Sequence, residues 1–158
     1  MGYQRAAPLL AAYGMIASLA ACGFTPVYGP EAQMDQKLSN IEVAPPNNRV
    51  EYLFVRSLEE RIGHNPAAEN ILNHDITVFE EGLEIWGAAR SQIVGKVRYK
   101  LVSQDDGQVI ATGSVETFTS YTPTIEGFGS NQRDATKRLM QILADKITTD
   151  LHLKLLGL

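Results

Sequence analysis

Between positions 91 and 121 apolar and polar residues alternate with a period of two, and this pattern restricts the fold more tightly than anything else in the chain. Ile93, Gly95, Val97, Tyr99 and Leu101 fall on one side; Val94, Lys96, Arg98, Lys100 and Val102 fall on the other. Clean alternation of this kind makes an antiparallel strand with one face in a core and one face outside it. Asp105-Asp106-Gly107 supplies the turn. A three-residue loop with Gly107 in the left-handed conformation pairs Leu101 with Ala111, Tyr99 with Gly113, Val97 with Val115 and Lys96 with Glu116. Both apolar sets then share one face. A two-residue loop without a bulge would set Leu101 against Thr112 and put the faces out of phase. Gly113 opposite Tyr99 leaves room for the ring to lie across the ladder.

The other elements follow from shorter signals. Leu38 to Val43 alternates as a short strand and is stopped by Pro45-Pro46. Asn48 with Glu51 three residues on is a capping box, Val50, Phe54, Leu58 and Ile62 recur every four residues, and Gly63 is the helix stop. Glu59, Glu60 and Arg61 form that helix's solvated side. Ile71 to Phe79 reads as a strand with Leu72, His74, Ile76 and Val78 inward, and His74 is expected as a core or edge histidine with a satisfied hydrogen bond. Glu80, Glu81 and Glu84 around Gly82 read as a solvated turn. The segment 122–130 is a loop, Asn131 caps a last helix, and Ala135, Leu139, Ile142 or Leu143, Ile147 and Leu151 trace its apolar stripe. Leu153, Leu155, Leu156 and Leu158 add an apolar tail beyond that stripe.

The order strand, helix, strand, strand, strand, helix predicts an α+β two-layer sandwich, with about four mostly antiparallel strands and two helices packed on one face. The other face, bearing Lys96, Arg98, Lys100, Thr112, Ser114 and Glu116, is left for solvent or a partner.

The beginning of the chain is different in kind. No charge occurs between Arg5 and Glu31, and the apolar run Ala6 to Ala21 is short for a bilayer span, which needs about 20 residues. Residues 1–21 therefore read as a signal peptide. Leu19-Ala20-Ala21-Cys22 matches the bacterial lipobox, so Cys22 is expected to carry a diacylglycerol and an N-acyl chain and to begin the mature protein. Several chains anchor far better than one. Gly23 is not the Asp of an inner-membrane retention signal, which points to the periplasmic side of the outer membrane. Residues 22–37 read as an acylated tether and 38–158 as a single domain.

Composition removes several classes of function. One cysteine and three histidines among 158 residues leave no internal disulfide framework and no Cys-rich metal module. His64, His74 and His152 have no recurring ligand spacing, so no metal or other cofactor is assigned. A net charge of -4 argues against a nucleic-acid binder with a globally basic surface. Beyond Arg5 the chain has 13 basic and 18 acidic residues, so any basic strip is local. Nucleophile elbows, phosphate-binding glycine loops and H-E-x-x-H are all missing from the sequence, and an enzyme is not expected.

The string Cys22-Gly23-Phe24-Thr25-Pro26-Val27-Tyr28-Gly29 resembles the mature start of the LptE family of lipopolysaccharide-assembly lipoproteins as it occurs in alphaproteobacteria. The order of elements agrees with it. The resemblance implies an outer-membrane lipoprotein that plugs the β-barrel translocon subunit LptD, supports its assembly and binds lipopolysaccharide on its way to the outer leaflet. Lys96, Arg98 and Lys100, on a strip about 13 Å long, are the candidate contacts for lipopolysaccharide or a partner. They come from the local pattern and not from a family motif, and an ordinary solvated face with Glu116 opposite Lys96 is the competing reading. A periplasmic accessory lipoprotein of a lipid-trafficking ABC transport system is the alternative function.

Overall fold

The computed structural model describes residues 36–85, 88–123 and 129–156. The elements are β1 (Ile41–Val43), α1 (Arg49–Ile62), β2 (Asn70–Ile85), β3 (Ala88–Ser103), β4 (Val109–Tyr121) and α2 (Ser130–Leu156), preceded by a helical turn at 36–39. One sheet in the order β1-β2-β3-β4 carries both long helices on one face, a two-layer α+β sandwich. β1 lies parallel to β2, and the remaining pairs are antiparallel.

The capping signals of α1 act as read. Asn48 Oδ1 accepts the Glu51 N–H at 3.0 Å, and the Glu51 carboxylate accepts the Asn47 N–H at 2.6 Å. The Asn47 bond holds the Glu51 carboxyl below its ordinary value. Gly63, at φ 90°, ends the helix in a backbone conformation that side chains disfavour. Phe54, Leu58 and Ile62 point into the core.

The β3-β4 hairpin keeps its expected register by a different route. The loop has four residues, Gln104 to Gly107: Ser103 N–H donates to Gln108 O at 2.9 Å, and Gly107 N–H donates to Ser103 O at 3.0 Å with Gly107 at φ 71°. That loop alone would set Leu101 against Ile110 and turn the apolar residues outward. A bulge restores the phase, since Val102 faces Val109, Leu101 faces Ala111, and Ile110 is left over. Tyr99–Gly113, Val97–Val115 and Lys96–Glu116 then pair as expected.

Three other expectations shift. Leu38 is buried in the helical turn, not in a strand, and β1 begins only at Ile41. Asn40 is occupied instead in a side-chain clasp with Glu69, accepting its N–H at 3.0 Å and donating to its carboxylate at 2.8 Å. The acidic stretch from Glu80 is no turn: β2 continues to Ile85, paired with Ala88. Its charges are tolerated in a strand because Glu80 and Glu81 remain exposed, Glu80 accepting hydrogen bonds from Tyr121 and Gln132. Finally, α2 starts one residue before Asn131, whose amide donates to Thr122 O at 3.1 Å from inside the first turn.

Between the layers, Leu72, Ile93, Val97, Tyr99 and Leu101 of the sheet meet Phe54 and Leu58 of α1 and Leu139, Leu143, Ile147 and Leu151 of α2. Each fully buried aliphatic side chain contributes about 1.5–3 kcal/mol. Leu143 is the buried member of the Ile142/Leu143 pair. α2 approaches β3 closely because Gly95 lacks a Cβ, which would stand 2.9 Å from Leu143 Cδ1. The two helices run in the same direction, with Arg61 late in α1 paired to Asp145 in the second half of α2. Leu153 and Leu156 are exposed, Leu155 is buried, and Leu158 lies outside the described residues.

Candidate functional site

Because both helices cover one face of the sheet, the opposite face is bare, and strand register arranges its side chains in rows across β2, β3 and β4. One row is Asn73, Lys100, Thr112; the next is Asp75, Arg98, Ser114; the third is Thr77, Lys96, Glu116. Lys96, Arg98 and Lys100 therefore do share one exposed strip. Their charges are not equally available, however. Lys96 Nζ lies 3.5 Å from Glu116, and Arg98 is hydrogen-bonded to Asp75. Lys100, between an amide and a hydroxyl residue, is the member of the three with no carboxylate partner among the described residues. Exposed pairs of this sort are worth about 0–1 kcal/mol to stability. Their effect is to turn a cationic strip into a nearly charge-balanced polar surface.

A fourth row differs from those three. Phe79, Val94 and Phe118 align across the three strands; the two rings are 46% and 58% exposed and Val94 between them only 8%. With Glu81, Gln92 and Glu116 they line a shallow depression of about 330 Å³. The sequence contained a signal for this row: both phenylalanines fall on the wrong parity for the core face of their strands.

On the covered side, the end of α2 is tied to the sheet by a polar cluster that the sequence did not reveal. The Tyr99 hydroxyl donates to Asp150, while Lys154 Nζ donates to Asp150 at 2.8 Å, to the Tyr99 oxygen at 3.1 Å and to Thr112 O at 2.6 Å. Burial, and then the Asp150 carboxylate, pushes the Tyr99 phenol up to about 12. Burial alone would raise Asp150, but the bonds from Lys154 and Tyr99 outweigh it and hold the carboxyl below its ordinary value. Tyr99 is thus a fixed hydrogen-bond donor and not a proton carrier. Gly113 makes the arrangement feasible, since a Cβ there would stand 2.5 Å from Tyr99 Cε1.

His74 is half-buried against Phe54, with ring centroids 5.4 Å apart, and its Nδ1 is buried without the hydrogen-bond partner the sequence led us to expect. Burial pushes the imidazole below its ordinary value, although the Glu51 charge opposes it. Among the described residues no group of three His, Cys, Asp or Glu side chains is placed to hold a metal ion, and no helix is long and apolar enough to cross a membrane. Cys22 lies outside the described residues.

Known proteins place this architecture. A solved lipoprotein structure from Caulobacter crescentus superposes with a TM-score of 0.69 at 21% identity, covering 79% of this chain and 96% of that one. A minor lipoprotein from Acinetobacter baumannii gives 0.52 at 14% identity, covering 72% and 88%. The rare lipoprotein B from Shewanella oneidensis gives 0.52 at 11% identity, covering 74% and 95%. At these identities the likeness is one of fold. A search of curated protein sequences finds no significant match. The family LptE, described as lipopolysaccharide-assembly, matches residues 38–151, the whole sandwich apart from the last turn of α2. With well over half of its length covered by that match, the chain belongs to the LptE lipopolysaccharide-assembly family.

Proposed function

We propose that this chain is an outer-membrane lipoprotein, acylated on Cys22, whose folded domain plugs an LptD-like β-barrel, supports that barrel's assembly and helps deliver lipopolysaccharide to the outer leaflet. The observation that carries the barrel reading is the bare sheet face. It is broad, exposed and rich in hydroxyl groups, and its cations at 96 and 98 are matched by acids at 116 and 75. Large barrels have polar interiors, and a charge-balanced polar wall can be enclosed by such a lumen at a smaller desolvation cost than three unpaired cations. Lys96, Arg98 and Lys100 are in this reading partner contacts. The domain acts by filling and positioning, and the reading contains no catalytic step.

The test is photocrosslinking from Ser114 and Thr112, replaced one at a time by a photoreactive residue in cells. The expected product is an adduct with a large outer-membrane barrel that survives mild detergent extraction. Adducts with a permease complex of the inner membrane, and none with a barrel, would overturn the reading in favour of an accessory lipoprotein of an ABC system.

A further inference from the structure

Three cations with no carboxylate partner among the described residues stand together at a different place in the fold. Where the first turns of α1 and α2 lie side by side, Arg49, Arg133 and Lys137 line a cleft of about 360 Å³ whose floor includes Val50 and Leu53. Arg56, Arg61, Lys96, Arg98 and Lys154 each have a carboxylate within 4 Å. Arg49, Arg133 and Lys137 have none among the described residues, and all three are exposed. Asp134 also lines the cleft, which leaves a local excess of two positive charges on a chain whose net charge is -4. Like charges held together in excess repel one another, so an anion entering the cleft is attracted by all three cations at once. The half-buried side chains of Val50 and Leu53 add an apolar surface directly beneath.

We infer that this cleft is a binding site for a phosphorylated amphiphile: the phosphate contacts Arg49, Arg133 and Lys137, and the adjoining apolar part of the ligand rests on Val50 and Leu53. Charge-assisted, forked contacts from arginine to phosphate are the strong and directional kind. The volume admits the phosphate and the group next to it, while long acyl chains extend outside. For its natural ligand this inference rests on the lipopolysaccharide reading above; for its chemistry it does not. The shared chemistry, a phosphate on an amphiphile, is offered both by lipopolysaccharide and by membrane phospholipid.

The test is equilibrium binding by the full chain in uncharged detergent to three probes: purified lipopolysaccharide, the same material with its phosphates removed, and phosphatidylglycerol. Two variants with equal charge loss are compared, Arg49→Ser/Lys137→Ser and, away from the cleft, Arg56→Ser/Lys146→Ser, each checked for an unchanged circular dichroism spectrum. The first should weaken lipopolysaccharide binding by at least about tenfold, as expected for two lost charge-assisted contacts. The second should change it less than about twofold. Asp134→Asn, which removes the opposing charge, should tighten it. Equal loss in both double variants, or none in the first, overturns the site, as does a wild-type chain that binds none of the probes. Displacement of the bound lipid by inorganic phosphate at low millimolar concentration also overturns it, because the apolar floor would then contribute nothing. Binding of phosphatidylglycerol but not lipopolysaccharide, abolished by Arg49→Ser/Lys137→Ser, upholds the cleft and removes direct lipopolysaccharide contact from the proposed function.

Discussion

Replacing Gly113 by alanine tests how the end of α2 is joined to the sheet. The new Cβ would stand 2.5 Å from Tyr99 Cε1 and 2.5 Å from Asp150 Oδ2, so the ring, the carboxylate or both must move by about an ångström to reach ordinary contact. Tyr99 is 4% exposed and cannot swing into solvent without opening the core. Overpacking of a filled site costs about 1–3 kcal/mol. Displacing the hydroxyl from Asp150 forfeits a hydrogen bond to a charged group, about 1.5–3 kcal/mol. Against these stands the advantage of alanine over glycine in a strand, about 0.5–1 kcal/mol. The net expectation is a loss of about 2–5 kcal/mol, measured by equilibrium urea unfolding followed by circular dichroism. Gly82→Ala, where a Cβ meets nothing within 4 Å, is the control and should be neutral or mildly stabilising. In a Tyr99→Leu background the cost of Gly113→Ala should fall below about 1 kcal/mol, because contacting residues couple. A cost that small in the wild-type chain, or an undiminished cost in the Tyr99→Leu background, would refute the reasoning.

Other consequences can be measured in the same way. His74 has its folded-state value pushed below the ordinary 6.5 by burial, so the unfolded chain takes up the proton more readily. Stability is therefore full above that ordinary value and is lost as pH falls through it toward the lowered folded value; urea midpoints should drop between pH 7 and 5, and His74→Phe should flatten the drop. Asn48→Ala removes the acceptor for the Glu51 N–H and should cost about 1 kcal/mol by urea unfolding, whereas Asn48→Ser should restore most of it. Leu139→Ala, at a fully buried position between α2 and Gly95, should cost about 2–5 kcal/mol. Cys22→Ser should prevent acylation and shift the protein from the membrane pellet to the soluble periplasmic fraction; continued pelleting of a correctly processed variant would argue against the anchor.

How far the sequence could be read depended on whether an interaction lay within one local pattern. Lys96–Glu116 and Tyr99–Gly113 follow from counting outward from one turn, and they are present. Arg98–Asp75 needs the register of a second hairpin, and the acidic run from Glu80 to Glu84 disguises that hairpin as a turn. Its first consequence is that the cationic strip looks stronger in sequence than it is. Val94 opposite Phe118 follows from the same turn as Lys96–Glu116, but the alignment of Phe79 with them was hidden for the same reason. At the 104–107 loop an error in length was offset by the bulge at Ile110, because burying one face leaves only registers of the right parity. The cleft at Arg49, Arg133 and Lys137 joins residues more than eighty positions apart, on two helices whose exposed faces are individually unremarkable. Periodicity identifies the sides of those helices that turn inward but carries no information about which outward sides become neighbours.

The contact between Lys37 and the far end of the chain has a mechanical meaning. Lys37 Nζ donates to Leu155 O at 2.9 Å, Leu38 beside it is buried, and the chain then enters β1, parallel to β2. Tension applied from the N-terminal side would enter the domain at one corner and divide between the last turns of α2 and the short ladder of β1. Bonds between parallel strands are spaced evenly along the pair, so a pull along β1 loads them in shear, and they must give way together instead of unzipping one by one. A domain fastened in this way can be pulled from its N-terminal side without the sheet being peeled open from its edge.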